Sequence, residues 1–153
     1  MRRLTFSLSI VAVIGLALAY MLVAATPKAD ASPAMQNLPV NINVSCNGGD
    51  LGDTRIVPFT LRLRKSQNQR ARFNLQGGSD VGSVTIRPKE DSSWPFNTAE
   101  PNPAPPFTVQ RGGNNAVTSG PINPDAQGTY LYDIIADCGS GPTVIDPRMD
   151  IDP

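Results

Sequence analysis

Gly128-Thr129-Tyr130-Leu131-Tyr132-Asp133-Ile134-Ile135-Ala136-Asp137-Cys138 is the longest strand-like run in the 153-residue chain. Tyr130, Tyr132, Ile134, Ala136 and Cys138 fall on one side of an extended backbone, with Leu131, Asp133, Ile135 and Asp137 on the other. Successive side chains of a strand point to opposite faces, so this period of two marks a strand with one face buried. A helix would need apolar residues three and four apart. No stretch beyond residue 31 carries that period.

The same alternation recurs on the N-terminal side. Leu38, Val40, Ile42 and Val44 alternate with Pro39, Asn41, Asn43 and Ser45, and Val57, Phe59, Leu61 and Leu63 with Pro58, Thr60, Arg62 and Arg64. A third run turns Ala71, Phe73 and Leu75 inward and Arg70, Arg72 and Asn74 outward. Shorter runs lie at Val84 and Ile86, Phe107 and Val109, Ala116-Val117, Val144-Ile145, and Met149 with Ile151. Asn47-Gly48-Gly49-Asp50, Ser66 to Gln69, Gly77-Gly78-Ser79-Asp80, Gly112-Gly113-Asn114-Asn115 and Gly139-Ser140-Gly141-Pro142 supply the turns. Short strands at this spacing, in a chain with 15 prolines and 13 glycines, predict an all-β sandwich or barrel of seven to eight strands.

A different material precedes them. Arg2 and Arg3, an uncharged apolar run from Leu4 to Ala25, and Ala29-Asp30-Ala31 are the parts of an export signal cut before Ser32. The run is also close to the ~20 residues that span a bilayer, so the alternative is a retained anchor with the domain outside the cytoplasm. The expected organisation is a signal peptide or membrane anchor at 1–31, a linker at 32–37 and a single β-sandwich domain at 38–153. The expected location is periplasmic or secreted, or held at the cytoplasmic membrane if the segment stays.

Export gives the two cysteines a meaning. A lone pair in an oxidising compartment forms a disulfide, and Cys46 and Cys138 stand at the ends of the first and longest strands. Charge excludes one partner class. Removing Arg2, Arg3, Lys28 and Asp30 leaves ten basic against twelve acidic residues, which carries no general affinity for nucleic acid.

From Gly128-Thr129-Tyr130-Leu131-Tyr132-Asp133-Ile134 through Cys138 to Ile145-Asp146-Pro147-Arg148-Met149-Asp150-Ile151, the chain resembles the closing hairpin of a cupredoxin-like domain. The resemblance implies a Greek-key sandwich in which a G-x-Y-x-Y strand leads through a loop into the last strand. It also implies an upstream aromatic segment, here Trp94-Pro95-Phe96, covering one end. Tyr130, two residues after Gly128, fits a tyrosine corner as well, a device shared with immunoglobulin-like sandwiches. Both topologies satisfy the sequence. The copper-binding members hold their metal with two histidines, a cysteine thiolate and a weak axial methionine. This chain contains no histidine, so neither copper nor zinc is expected, and no other cofactor is.

The absence of histidine also removes Ser-His-Asp and Cys-His nucleophiles. Asp133 and Asp137 are the remaining acid/base candidates, but their outward places in the alternation predict a solvated strand face, and no catalytic residue is assigned. Asp146, Asp150 and Asp152 match no calcium-loop spacing.

Two binding candidates remain. Arg62, Arg64 and Lys65 lead into a turn from which Arg70 and Arg72 return, and no acid interrupts Asp53 to Asp80. On one hairpin these cations would share an outer face and meet an anionic polymer or lipid, or merely protect an edge strand. The second candidate is a proline-stiffened connection carrying Trp94, Phe96 and Phe107, whose rings grip a ligand or plug the sandwich end. The expected function is a non-enzymatic binding or structural module of the cell envelope. Alternatives are an anion-binding accessory protein and an enzyme of unknown type. Its partner would be an envelope protein or an anionic polymer or lipid, with a membrane involved only if the leader is retained.

Overall fold

Valine, isoleucine and aromatic side chains suit a pleated, half-buried surface, and the alternating runs fold as strands. The computed structural model describes residues 33–112 and 116–153. The leader, and with it the choice between signal and anchor, lies outside the described residues, as do Gly113, Asn114 and Asn115 of one expected turn. In chain order the strands are β1 (Gln36–Asn43), β2 (Cys46–Asn47), β3 (Asp50–Leu51), β4 (Arg55–Val57), β5 (Thr60–Arg64) and β6 (Gln69–Leu75). They continue with β7 (Ser83–Pro88), β8 (Phe107–Gln110), β9 (Val117–Thr118), β10 (Gly128–Asp137), β11 (Pro142–Ile145) and β12 (Arg148–Asp152).

Among the described residues the strands number twelve, more than the seven to eight expected because several are only two residues long. They form a small β2–β3 sheet and two larger sheets, the latter in the all-β Greek-key sandwich expected. One has the order β4-β1-β6-β9, the other β5-β12-β10-β7-β8, with β11 also paired to β10. β1 runs parallel to β6, from Gln36 beside Gln69 to Ile42 beside Leu75, and β5 runs parallel to β12, from Thr60 beside Arg148 to Arg64 beside Asp152. Parallel neighbours cannot be joined by a tight hairpin. The chain therefore passes between sheets, from β4 to β5 and back from β5 to β6. Val40, Ile42, Phe73 and Leu75 meet Leu63, Ile86, Tyr132, Ile134 and Met149 in one core, each large side chain contributing roughly 1.5–3 kcal/mol by leaving water.

Three expectations are corrected. The strand read from Val57 to Leu63 is two strands in opposite sheets, broken at Pro58-Phe59. Val57 and Phe59, expected to point inward, are each 52% exposed, and Ile56 is buried instead. Alternation does not register a change of sheet, so the pattern runs unbroken across the crossing.

The segment Arg62 to Arg72 is likewise no hairpin. β5 and β6 belong to different sheets, linked by a single turn of 3-10 helix at Lys65–Gln67 that closes on Asn68 in the left-handed region, φ 48°. Finally, Asp133 is outward but not solvated, at 3% exposure.

At the C-terminal end of β10 the disulfide joins Cys46 to Cys138, with Cα atoms 5.6 Å apart. The β2–β3 hairpin lies beside it: Ser140 Oγ is 2.7 Å from the Asp50 carboxylate, and the Ser140 N–H donates to the Gly49 carbonyl at 3.1 Å. Asp137 Oδ1 accepts from the N–H groups of Gly139 and Gly141 at 2.8 and 3.2 Å.

Candidate functional site

The opposite end of β10 is organised by aromatic rings. Phe73 on β6 lies 5.8 Å from Tyr132 on β10 and 5.6 Å from Phe107 on β8, centroid to centroid. Trp94, on the long β7–β8 connection, packs onto this group at 6.3 Å from Phe73, 5.9 Å from Phe107 and 5.4 Å from Phe96. Phe96 is 1% exposed. Tilted and edge-on contacts at such distances suit the ring quadrupoles, so the rings close the end of the sandwich.

Trp94 is only half buried, and its remaining surface opens onto a cleft of about 390 Å³ lined by Ser93, Trp94, Pro95, Asn123, Pro124, Asp125, Ala126 and Tyr130. The two walls are paired through their backbones. Phe96 bridges Ile122, the Asn97 N–H donates to the Pro121 carbonyl at 2.8 Å, and the Asn123 N–H donates to the Pro95 carbonyl at 2.8 Å. Gly120 permits that approach, because a Cβ there would run into the Asn97 carbonyl. Tyr130 closes the floor; its hydroxyl accepts from the Gln127 N–H at 3.1 Å, the bond of a tyrosine corner. The Trp94 indole Nε1 is buried without a hydrogen-bond partner.

The arginines are not brought together. Arg62 and Arg64 stand on β5 beside Asp150 and Asp152 of β12, whereas Arg70 and Arg72 stand on β6 in the other sheet. Lys65 donates its ammonium to the Pro124 carbonyl at 3.0 Å. A single cationic face is thus replaced by a ladder of opposite charges on one sheet and a separate pair on the other.

The acidic candidates also part company. Asp137 holds the glycine turn, and Asp150 accepts from the Thr129 hydroxyl at 2.9 Å. Asp133 Oδ2 meets Arg87 Nε at 2.9 Å, and Asp146 Oδ1 meets Lys89 Nζ at 2.8 Å. The Lys89 ammonium holds the Asp146 carboxyl below the usual carboxylate range, and the Asp146 carboxylate raises Lys89. Asp133 lies close enough to raise Lys89 further. Its burial comes from flanking Arg87 on one side and the Asp146-Pro147 corner on the other.

Copper would need donors that this chain does not supply. It has no histidine, both cysteines are bonded to each other, and Met149 is fully buried within β12. Among the described residues no three Cys, Asp or Glu side chains gather as a metal site. The residues therefore do not fit the metal of the resembled family, and they do not assemble Asp146, Asp150 and Asp152 around calcium.

Sequence reasoning found the Trp94 wall of the cleft and missed the other, Asn123 to Ala126. Ile122-Asn123-Pro124-Asp125 reads only as a turn, and nothing local says that it packs across Trp94.

No known family's sequence pattern matches the chain, and no curated protein matches it. Among solved structures it is similar to reduced rusticyanin, with TM-score 0.38 and 15% identity over 90% of this chain and 95% of that one. It is also similar to auracyanin B, with TM-score 0.33 and 18% identity over 81% of this chain and 93% of the other. These neighbours are cupredoxins; the sandwich itself stands on the strand pairing described above.

Proposed function

We propose that this protein is an exported, non-enzymatic binding module of the cell envelope whose ligand occupies the cleft between Trp94 and Tyr130. The cleft is the observation that carries the reading. At about 390 Å³ it falls within the roughly 300–1,000 Å³ of small-ligand sites. Its walls are aromatic and proline residues held by backbone hydrogen bonds, so little entropy is lost when a ligand orders them. Export is supported by the leader and by the Cys46–Cys138 bond, which belongs to an oxidising compartment. The dispersed arginines favour the cleft over an anion-binding face.

Trp94 is the only tryptophan, so its fluorescence reports the cleft directly. Neutral oligosaccharides, proline-rich peptides, heparin and anionic vesicles are titrated into the full-length chain. A saturable emission shift with one of them, abolished by Asn123→Ala together with Asp125→Ala, is the expected result. Salt-screened binding to heparin or vesicles that survives this change and disappears with Arg62→Ser and Arg64→Ser would replace the cleft with the arginines. Intact mass of protein isolated from its native envelope fraction tests export; the expected product begins at Ser32, and a cytosolic, uncut, fully reduced chain overturns it.

A further inference from the structure

Resting on that reading of the cleft, we infer that its ligand is a neutral carbohydrate. The first observation is the shape and chemistry of the walls. Trp94 and Tyr130 supply broad ring surface against which the C–H faces of a sugar can lie, while Pro95 and Pro124 stiffen the rim.

The second is the state of the polar groups. The side chains of Ser93, Asn123 and Asp125 make no hydrogen bond or ion pair within the described residues. The exposed Ser93 and Asp125 and the half-buried Asn123 thus present a hydroxyl, a carboxylate and an amide to solvent around two rings. An amide both donates and accepts, a carboxylate only accepts, and a sugar hydroxyl can satisfy both.

The third observation is charge and donor placement. The lining carries a carboxylate and no cation, and neighbouring Lys65 is occupied by the Pro124 carbonyl at 3.0 Å. That opposes an anionic ligand. A polyproline segment has no N–H groups, so although Ser93 and Asn123 could donate to its carbonyls, it would leave the acceptor-only Asp125 carboxylate without a donor. Sugar hydroxyls both donate and accept and so satisfy the whole set; a polyproline segment, which only accepts, does not.

The test uses the full-length protein with cello-, malto- and chito-oligosaccharides and a proline-rich peptide, followed by Trp94 fluorescence and amide NMR shifts. Because Trp94 also belongs to the core stack, the variants are Asn123→Ala and Asp125→Ala, checked for an unchanged unfolding midpoint. Saturable binding of an oligosaccharide, weakened about tenfold by either change, is expected from the loss of one hydrogen bond to a hydroxyl. Binding of the peptide alone, weakened by the same variants, overturns the carbohydrate and keeps the cleft. No saturable response to either ligand class, or oligosaccharide binding indifferent to both variants, overturns the carbohydrate and the cleft together.

Discussion

The two ends of β10 are built from opposite materials. Residues 130 and 138 are about 26 Å apart at ~3.3 Å per strand residue, and between them the chemistry reverses. At the Cys138 end the polar groups are consumed internally: the disulfide, the Ser140 contacts to Gly49 and Asp50, the Asp137 cap, and Asp80 Oδ2 accepting from the Cys46 N–H at 2.7 Å. At the Tyr130 end the rings of Trp94, Phe96, Phe73 and Phe107 fill the opening, and Ser93, Asn123 and Asp125 are left unemployed. A covalently closed end can hold the sandwich together while the other end keeps an open cleft.

The contrast is broken most directly at the staple. The bridge closes a separation of 92 residues, and Cys46→Ala with Cys138→Ala should lower unfolding stability by about 4–5 kcal/mol on the chain-entropy account. Denaturant unfolding of the oxidised protein and the variant measures it; a loss below about 1 kcal/mol would show that the hairpin and glycine turn, rather than the bond, close this end. Phe73→Ala attacks the other end. Phe73 is fully buried against Trp94, Phe107 and Tyr132, so about 3–5 kcal/mol should go with it, together with the Trp94 emission characteristic of the stack.

Much of this contrast was readable in advance, and the unread part has a common cause. Period-two alternation located β1, β6 and β10 because one face of each is buried, and with only two cysteines in the chain the Cys46–Cys138 pair was a matter of counting. What alternation cannot carry is pairing. Val57, Phe59, Leu61 and Leu63 alternate without a flaw across a change of sheet, and Ser66 to Gln69 would serve a hairpin as readily as the crossing that forms. Only the registers with β12 and β1 decide between them. Asp133 teaches the same lesson: its direction was legible, but its burial depends on Arg87 and the Asp146-Pro147 corner. The cleft was half visible for this reason, since its second wall reaches Trp94 through the Phe96–Ile122 bridge.

Smaller effects sharpen the picture within β10 itself. Tyr130 and Tyr132 share a strand face, yet their hydroxyls differ. Tyr130 accepts from Gln127, so Tyr130→Phe should cost about 1 kcal/mol. Tyr132 is fully buried and its hydroxyl has no partner; burial pushes its ionisation well above the ordinary tyrosine range. Tyr132→Phe should therefore leave stability unchanged or raise it by up to about 1 kcal/mol. A loss from Tyr132→Phe as large as that from Tyr130→Phe would mean that the hydroxyl is satisfied after all. If the two ends are independent, the Tyr130→Phe cost should add to the loss of the disulfide within about 0.5 kcal/mol.

The smallest effect lies between the ends, at the exposed Lys89–Asp146 pair. Lys89 depresses Asp146, so this carboxylate's stabilising contribution is complete above the unfolded value near 3.9 and disappears as pH falls through the lower folded one. Lys89 is raised, so its contribution is complete below the unfolded value near 10.4 and disappears as pH rises through the higher folded one. Both are therefore in force across the neutral range, and salt should weaken them because the pair is solvent-accessible. Carboxyl NMR titration of Lys89→Met should return Asp146 toward its ordinary range with no change at the cleft or the disulfide. An Asp146 that stays depressed in that variant would show that Asp133 and its Arg87 partner, rather than Lys89, set the charge balance on this face of β10.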